Sequence, residues 1–224
     1  NVTDMTFMFY YCTTLTQVIG LDDLRADNLT SIRYMFAICG MLSFANYNFN
    51  DANWNTVISL SGSLDSTFRE VGMNLTSPGP APDVALWDVA NCDQMLSCFL
   101  KSNFNNSVDV NSWDFSNATT LNGFFRENKG TTSVVFNNIS SSLTTMYGCF
   151  FNNNDITSIE FTGTCDLSGV SDWRFFGYAS SLTTLSIQTS GANAADFSGS
   201  TQWISSFTTA SLILTSYGDL LVRL

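Results

Sequence analysis

Six cysteines are the residues of this 224-residue chain best suited to covalent or metal chemistry. Cys98 and Cys149 each precede a phenylalanine by one residue. Cys12 and Cys39 each follow a phenylalanine by three. Cysteines that recur at one place in a repeated phrase favour small apolar fillers of a core over a disulfide framework, although an even number permits one. A metal site is disfavoured because the chain has no histidine and no Cys-x-x-Cys pair.

Catalysis has few candidate residues. Without histidine the chain lacks the commonest general base, and it contains neither a glycine-rich phosphate loop nor a serine in a nucleophile-elbow motif. A carboxylate pair among the 19 acidic residues is the route left open, toward glycoside hydrolysis. Asp88 and Asp114 recur in equivalent positions, but one carboxylate per repeat is too few for calcium and suits capping of a helix or turn. We therefore predict a protein that is not an enzyme and has no cofactor and no metal.

Tryptophan rings are the candidates for ligand binding. Trp54, Trp87 and Trp113 form an aromatic platform for sugars or protein partners if they are exposed, and fill the core if they are not. The core is the favoured interpretation for these three. Trp173 and Trp203 take the position that methionine holds in other repeats, which also indicates the core.

Asparagines in Asn-x-Ser/Thr motifs are candidate glycan acceptors in a eukaryotic secretory pathway. The motifs start at Asn1, Asn28, Asn74, Asn105, Asn117 and Asn138. Asn1, Asn28 and Asn117 also hold the turn position of the repeated phrase, so formation of a turn or cap is the favoured role for these three.

The elements that position these residues come from a phrase repeated every 25 to 32 residues. Four copies have apolar residues at i, i+3 and i+7, as at Val2, Met5 and Phe9, which places them on one face of a two-turn helix. The phenylalanines of successive phrases are Phe9, Phe36, Phe68, Phe99, Phe125, Phe150, Phe176 and Phe207. We predict a stacked repeat protein in which one shared interior is lined by Phe9, Phe36, Phe99, Phe125 and Phe150.

After each phenylalanine, the sequence changes to segments that favour strands. Such segments lie at 15–19, 133–136, 156–161 and 182–187. The predicted fold class is α/β: a leucine-rich-repeat-like solenoid of about eight coils, each with one short helix and one short parallel strand. The solenoid covers residues 1–210, with an irregular, loop-containing stretch at 41–83. A divergent C-terminal cap covers residues 211–224 and is helical from Tyr217.

In such a stack, consecutive coils lie about 5 Å apart. Cys12 and Cys39 belong to consecutive coils, and a disulfide can span that distance. Cys98 and Cys149 belong to coils two apart, near 10 Å, which exceeds the ~7 Å reach of a disulfide. We predict no bond between Cys98 and Cys149, and the Cys12–Cys39 pair stays open.

The repeated phrases resemble the BspA-like leucine-rich repeats, in the variant found in mycoplasma surface lipoproteins. Trp87-Asp-Val-Ala-Asn91 and Trp113-Asp-Phe-Ser-Asn117 match the opening of that repeat. Met8-Phe9 and Met35-Phe36 match its middle. Residues 1–40 and 84–187 carry the resemblance most clearly. It implies a surface protein of a bacterium, protist or virus that adheres to host proteins, cells or glycans.

Composition and charge narrow the range of partners. Charged residues make up 12% of the chain and the net charge is −11, which argues against nucleic acid or an anionic membrane as a partner. No run reaches the roughly 18 apolar residues of a membrane span, so we expect no membrane insertion. The chain opens at Asn1 inside a repeat phrase, from which we expect it to be a fragment or processed piece with further sequence upstream.

The predicted function is that of a non-enzymatic, extracellular or cell-surface module for recognition or adhesion, which binds a protein or carbohydrate on a host or neighbouring cell. A rigid repeat scaffold suits this role because it presents variable side chains over a long surface. The alternative is a structural spacer or decoration protein, in a surface layer or in a virion as a phage tail or capsid appendage. An exposed aromatic cluster on one face favours recognition, whereas a uniform Ser/Thr/Asn surface with a large apolar self-contact favours the structural role.

Overall fold

The structure is a computed structural model that describes residues 2–21, 29–45, 60, 62–170, 177–188 and 213–217. The strands in this part of the chain are β1 (Ser133–Asn137), β2 (Ser158–Thr162), β3 (Thr184–Gln188) and β4 (Ile213–Tyr217). They form one parallel sheet in the order β1-β2-β3-β4. The sheet is in register, so that Val134 pairs with Ile159, Ile159 with Leu185, and Leu185 with Leu214.

The sheet forms where apolar and polar residues alternate. In β1, Val134 and Phe136 are buried while Ser133 is exposed. In β2, Ile159 and Phe161 are buried in the same way. Because successive side chains of a strand point to opposite faces, the β-branched and aromatic residues of both strands build one side of the core. The segment at 15–19, also predicted to be a strand, belongs to none of the strands.

The predicted fold class is wrong, because the described residues contain no helix. The chain is therefore not a leucine-rich-repeat-like solenoid of helix-plus-strand coils. Where a helix was predicted at 2–9, the backbone makes overlapping turns. The Met8 N–H donates to the Met5 carbonyl at 3.1 Å, and the Tyr10 N–H donates to the Phe7 carbonyl at 3.1 Å. Each of these hydrogen bonds joins residues i and i+3 and closes a four-residue turn. An α-helix would instead have a continuous series of hydrogen bonds between residues i and i+4.

Such overlapping turns recur at residues 5–12, 32–39, 64–71, 95–102, 121–128 and 146–153, which we call the turn runs. The third and seventh residues of each run have positive φ angles, between 54° and 64°. A positive φ at the third residue of a turn is what a type II turn requires, whereas every residue of an α-helix has φ near −63°. This alternation in the sign of φ is the physical reason why the turn runs are not helices.

Alternate N–H groups of each turn run donate to the next run in the stack. The Phe9 N–H donates to the Met35 carbonyl at 2.9 Å, and the Phe68 N–H donates to the Cys98 carbonyl at 2.9 Å. Successive runs therefore lie parallel, and the hydrogen bonds that a helix would make within itself here join one coil to the next.

The phenylalanine at the fifth position of each turn run belongs to a continuous stack of rings, the phenylalanine ladder. Successive centroids are 5.6, 5.8, 5.3, 5.2 and 5.8 Å apart along Phe9, Phe36, Phe68, Phe99, Phe125 and Phe150. The rings are nearly parallel, with interplanar angles of 1° to 14°. Phe9 is half-buried at the end of the ladder, and the other five rings are buried. Phe176 and Phe207 lie outside the described residues.

Parts of the two segments predicted to be divergent take part in the same stack. Within 41–83, the run at 64–71 carries the common turn pattern, and Gly79, which lies between Pro78 and Pro80, makes a parallel bridge to Phe104. Within 211–224, β4 extends the sheet by pairing with β3. The helix predicted after Tyr217 lies outside the described residues.

The six cysteines all lie in the described part of the chain and are all free, and only Cys12 is exposed. No disulfide joins Cys98 to Cys149 or Cys12 to Cys39. The Cys39 thiol donates to the Phe9 carbonyl at 3.1 Å. Burial raises the pKa of Cys39 to about 12, so the thiol is protonated at neutral pH.

Candidate functional site

Two of the tryptophans considered as binding candidates lie in the core. Trp87 is 3% exposed and Trp113 is 0% exposed, and their rings stack with centroids 6.3 Å apart. The Trp113 Nε1–H donates to the Val84 carbonyl at 2.8 Å, which satisfies the only polar atom of its ring. Neither ring offers a face to a ligand. The third candidate, Trp54, lies outside the described residues.

The recurring carboxylates close turns. Asp88 Oδ1 accepts a hydrogen bond from the Ala90 N–H at 3.1 Å, and Asp114 Oδ1 accepts one from the Ser116 N–H at 2.9 Å. An aspartate that accepts from the backbone two residues on forms an Asx turn. Among the described residues, no three His, Cys, Asp or Glu side chains are grouped closely enough to hold a metal ion. Nor does this part of the chain contain a helix of the length and hydropathy needed to cross a membrane.

The asparagines of the glycosylation motifs differ in their surroundings. Asn117 and Asn138 hydrogen-bond to backbone groups of neighbouring coils, as turn residues do. Asn74 and Asn105 are exposed. The two remaining motif residues, Asn1 and Asn28, lie outside the described residues.

Each turn run divides its side chains between the core and the opposite side of the backbone. In the five runs from 32–39 onward, the first, fourth, fifth and eighth side chains are buried, as Met95, Cys98, Phe99 and Ser102 are, all at 0% exposure. In the run at 5–12, at the end of the stack, Met8 and Cys12 are exposed. The second, third, sixth and seventh residues lie on the opposite side of the backbone, which we call the turn face, although Ala37, Asp65 and Ser66 among them are buried. Its residues are Thr6, Phe7, Tyr10, Tyr11, Arg33, Tyr34, Ala37, Ile38, Asp65, Ser66, Arg69, Glu70, Leu96, Ser97, Leu100, Lys101, Asn122, Gly123, Arg126, Glu127, Tyr147, Gly148, Phe151 and Asn152, and Tyr178 continues it in the following coil.

Tyrosine is concentrated on the turn face. The tyrosines whose side chains the structure describes all lie there, and they are Tyr10, Tyr11, Tyr34, Tyr147 and Tyr178. Phe7 stacks on Tyr34 at 5.0 Å between centroids and meets Tyr10 edge-on at 5.3 Å. Phe7, Tyr10 and Tyr11 are 51%, 43% and 64% exposed. We call Phe7, Tyr10, Tyr11 and Tyr34 the aromatic cluster.

Cationic side chains are concentrated on the same face. Of the five lysines and arginines that the structure describes, only Lys129 lies elsewhere, and the other four are Arg33, Arg69, Lys101 and Arg126. Each is paired with a carboxylate of the turn face. Arg69 Nε lies 3.1 Å from Glu70 Oε1, and Arg126 Nε lies 3.2 Å from Glu127 Oε1. Lys101 Nζ lies 3.7 Å from the second oxygen of Glu127.

Aromatic rings orient two of these arginines. The Arg126 guanidinium lies 4.9 Å from the centroid of the Phe151 ring, and that of Arg33 lies 5.2 Å from the Tyr34 ring. Arg33 Nε is also 3.5 Å from Asp65 Oδ2. A ring contact and an ion pair acting on one planar guanidinium restrict its position more than either does alone.

Charge is segregated between the turn face and the rest of the described surface. Four cations and three carboxylates give the turn face a net charge of +1. The other described residues contain one lysine and nine carboxylates, a net charge of −8. In a chain with a net charge of −11, the turn face is the surface that least repels an anion.

The sequence-based interpretation did not single out any residue of the turn face as a candidate. The sequence nevertheless contains a pattern that indicates this surface. Once Phe9 and Phe36 are aligned, Phe7 aligns with Tyr34, two residues before each phenylalanine, and the side chains between the core positions carry the tyrosines and arginines. The tryptophans considered as binding candidates, Trp87 and Trp113, lie in the core instead.

The comparisons with known proteins agree with a repetitive chain. The family described as Mycoplasma protein of unknown function, DUF285, matches residues 1–64 and again residues 62–171, which together include all six turn runs. The likeness to BspA-like surface repeats therefore holds at the coarser level of this mycoplasma repeat family. No curated protein and no solved structure matches the chain.

Proposed function

The chain belongs to the family described as Mycoplasma protein of unknown function, DUF285, and we propose that it is a non-enzymatic recognition or adhesion module. Its turn face binds a protein or glycan of a host or neighbouring cell, and its place is extracellular or at the cell surface. The observation that carries this proposal is the concentration of the described tyrosines, and of four of the five described cations, on one surface.

The side-chain types on the turn face support binding. Tyrosine and arginine are the residues most enriched, with tryptophan, at the energetic centres of protein interfaces, because they combine a large contact area with hydrogen bonding. Tyr10 and Tyr11 expose rings that a purely structural surface has no reason to place in water. Away from the turn face, the outward residues of β2 are Ser158, Glu160 and Thr162, a polar set without aromatic rings.

The backbone of the turn face supports the proposal in a second way. The turn runs are joined by hydrogen bonds between coils, so their outward side chains sit on a fixed frame. Preorganised side chains lose little conformational entropy when a ligand binds, which raises affinity.

A binding comparison with matched variants tests this proposal. The full chain, labelled with a fluorophore, is applied to cultured animal cells and to an array of immobilised glycans. In one variant, Tyr10→Ser and Tyr147→Ser remove a ring from each end of the turn face. In the control, Ile19→Ser removes an apolar side chain that is 87% exposed and lies outside the turn face.

We expect the tyrosine variant to bind at least tenfold more weakly, which corresponds to ~1.4 kcal/mol, and the control to bind like the original chain. If the original chain binds neither cells nor glycans, or if the two variants lose equal affinity, the turn face is not a recognition surface. The structural role as a spacer or virion decoration would then be the better description.

A further inference from the structure

The arginines of the turn face share one mode of pairing. Arg69 and Arg126 each donate through Nε to the glutamate that follows them in sequence, at 3.1 and 3.2 Å. The closest atoms of the ion pair between Arg33 and Asp65 again include Nε. In all three cases the carboxylate therefore engages the inner nitrogen of the guanidinium.

This pairing keeps the outer half of each guanidinium available. A guanidinium has five N–H donors, and four of them belong to the two terminal Nη groups. No Nη group of these arginines makes a hydrogen bond to a residue that the structure describes. The side chains of Arg33, Arg69 and Arg126 are 46%, 38% and 39% exposed, so a ligand can reach them. The Nη pair is the fork that binds a planar carboxylate with two parallel hydrogen bonds.

The positions of these cations form a row along the stack. Arg69 and Arg126 both hold the sixth position of their turn runs, two coils apart, and Lys101 lies on the coil between them. At the ~4.8 Å spacing of parallel chains, Arg69 and Arg126 are about 10 Å apart along the stack. This is close to one turn of a polyproline II helix, about 9.3 Å for three residues, in which the first and fourth side chains point the same way. The aromatic cluster lies toward one end of the row, and Phe151 and Tyr178 lie toward the other.

We propose that the turn face binds an acidic segment of another protein in the polyproline II conformation, with carboxylates three residues apart seated on the Nη groups of Arg69 and Arg126 and with flanking apolar residues on the aromatic cluster. This inference rests on the proposed function and adds the chemistry of the partner. The charge difference between the turn face and the other described surfaces directs such a segment to this side of the stack.

The same geometry disfavours a dense polyanion such as a sulfated polysaccharide. Glu70 and Glu127 lie next to the arginines and leave the turn face with a net charge of only +1. Closely spaced sulfates would be repelled by these carboxylates as well as attracted by the guanidinium groups. Single carboxylates separated by neutral residues can reach the Nη groups without that repulsion.

The test uses the full chain and synthetic peptides of defined composition. The first peptide has two glutamates three positions apart, flanked by leucine and tyrosine. In a second peptide both glutamates are replaced by glutamine, and heparin serves as the dense polyanion. Affinities are measured by fluorescence anisotropy at low and at moderate salt. The variant Arg69→Gln with Arg126→Gln removes the charges in question, and Lys129→Gln is the control because it removes an exposed cation outside the turn face.

We expect the double arginine variant to bind the acidic peptide roughly tenfold more weakly, and Lys129→Gln to bind it like the original chain. The glutamine peptide should bind as weakly to the original chain as the acidic peptide binds to the variant. Circular dichroism shows whether each variant keeps the fold.

Three results would overturn the inference: equal binding of the acidic and glutamine peptides, tighter binding of heparin than of the acidic peptide, or equal losses in the arginine and lysine variants. If the tyrosine variant still loses cell or glycan binding in that case, recognition by the turn face stands and only the acidic partner is excluded. If the tyrosine variant loses nothing, recognition itself is excluded.

Discussion

The phenylalanine ladder makes a quantitative prediction about stability, and Phe99 is the position that tests it best. Its ring is 0% exposed and lies between Phe68 and Phe125, with centroid distances of 5.3 and 5.2 Å. Phe124 meets it edge-on at 5.4 Å. Phe99→Ala would remove a full ring from the middle of the stack and leave a cavity between two coils.

We expect Phe99→Ala to lower the free energy of unfolding by about 4 kcal/mol, within the range for phenylalanine removed from a close-packed core. The matched change is Phe9→Ala at the end of the ladder. Phe9 is half-buried and has one ladder neighbour, Phe36, at 5.6 Å, so its removal should cost only about 1–2 kcal/mol.

Urea unfolding of the full chain measures both values. Tryptophan fluorescence reports the loss of the core around the ladder, because Trp113, one of the five tryptophans, has its ring 6.3 Å from that of Phe99. If the two substitutions destabilise the chain equally, or if Phe99→Ala costs less than about 2 kcal/mol, the rings do not share one continuous interior. A change in the slope of the urea dependence would instead indicate that the coils unfold separately.

Gly130→Ala should cost more than about 2 kcal/mol by urea unfolding, because Gly130 has a φ of 86° and an added Cβ would meet the Phe104 carbonyl. Gly148→Ser should cost only about 1 kcal/mol, since the nearest atom is 3.5 Å away and other runs hold larger residues at that position. Burial raises the pKa of Cys92 to about 12. Above the unfolded value near 8.5, the unfolded Cys92 thiol loses its proton first, so this residue should lower stability by about 1.4 kcal/mol per pH unit. The other buried cysteines, whose pKa values burial also raises, add to this slope, and Cys92→Ala should reduce it by the contribution of one thiol. Stability that is unchanged between pH 8 and pH 10.5 would contradict this expectation.

The predicted helices are wrong about the backbone, whereas several residues that they placed on one face, such as Met95 and Phe99, are buried in the structure, although Val2 is exposed. In the five turn runs from 32–39 onward, the first, fourth, fifth and eighth residues are buried, which is the i, i+3, i+4, i+7 spacing of an amphipathic helix. Periodicity reports which side chains share a face, and overlapping turns with alternating φ give the same answer as a helix. Gly123 and Gly148, at the third position of their runs, were the local sign that the helix is absent, because glycine is disfavoured inside helices and favoured at positive φ.

Strands were easier to predict than turn runs. The alternation of apolar and polar residues indicates a strand, whereas the spacing of apolar residues in the turn runs is shared by a helix and by overlapping turns. Strands β1, β2 and β3 lie in segments whose alternation and β-branched residues indicated strands. The segment at 15–19 has a similar composition but belongs to none of the described strands, because pairing with neighbouring coils decides whether such a segment becomes a strand.

The candidate site was harder to predict, because its residues are ordinary when each is considered alone. Trp87 and Trp113 attracted attention by type, yet they pack in the core. Arg69 and Arg126 become informative only when the coils are aligned, since 57 residues separate them in the sequence while they hold the same position in the stack. In a repeat protein, residues that are far apart in the sequence lie close together when they hold equivalent positions in stacked coils. A surface site can therefore be recognised only after the coils have been aligned.

The turn runs also explain how one fold can carry a variable surface. The third position of a run holds Phe7, Tyr34, Ser66, Ser97 or a glycine, all with nearly the same positive φ. A non-glycine residue there costs about 1 kcal/mol or more in backbone conformation, and the hydrogen bonds between coils offset that cost without involving the side chain. The fold is therefore stabilised mainly by the buried inward residues and by the backbone hydrogen bonds between coils. The outward positions are free to differ from coil to coil, which is the property that a recognition surface needs.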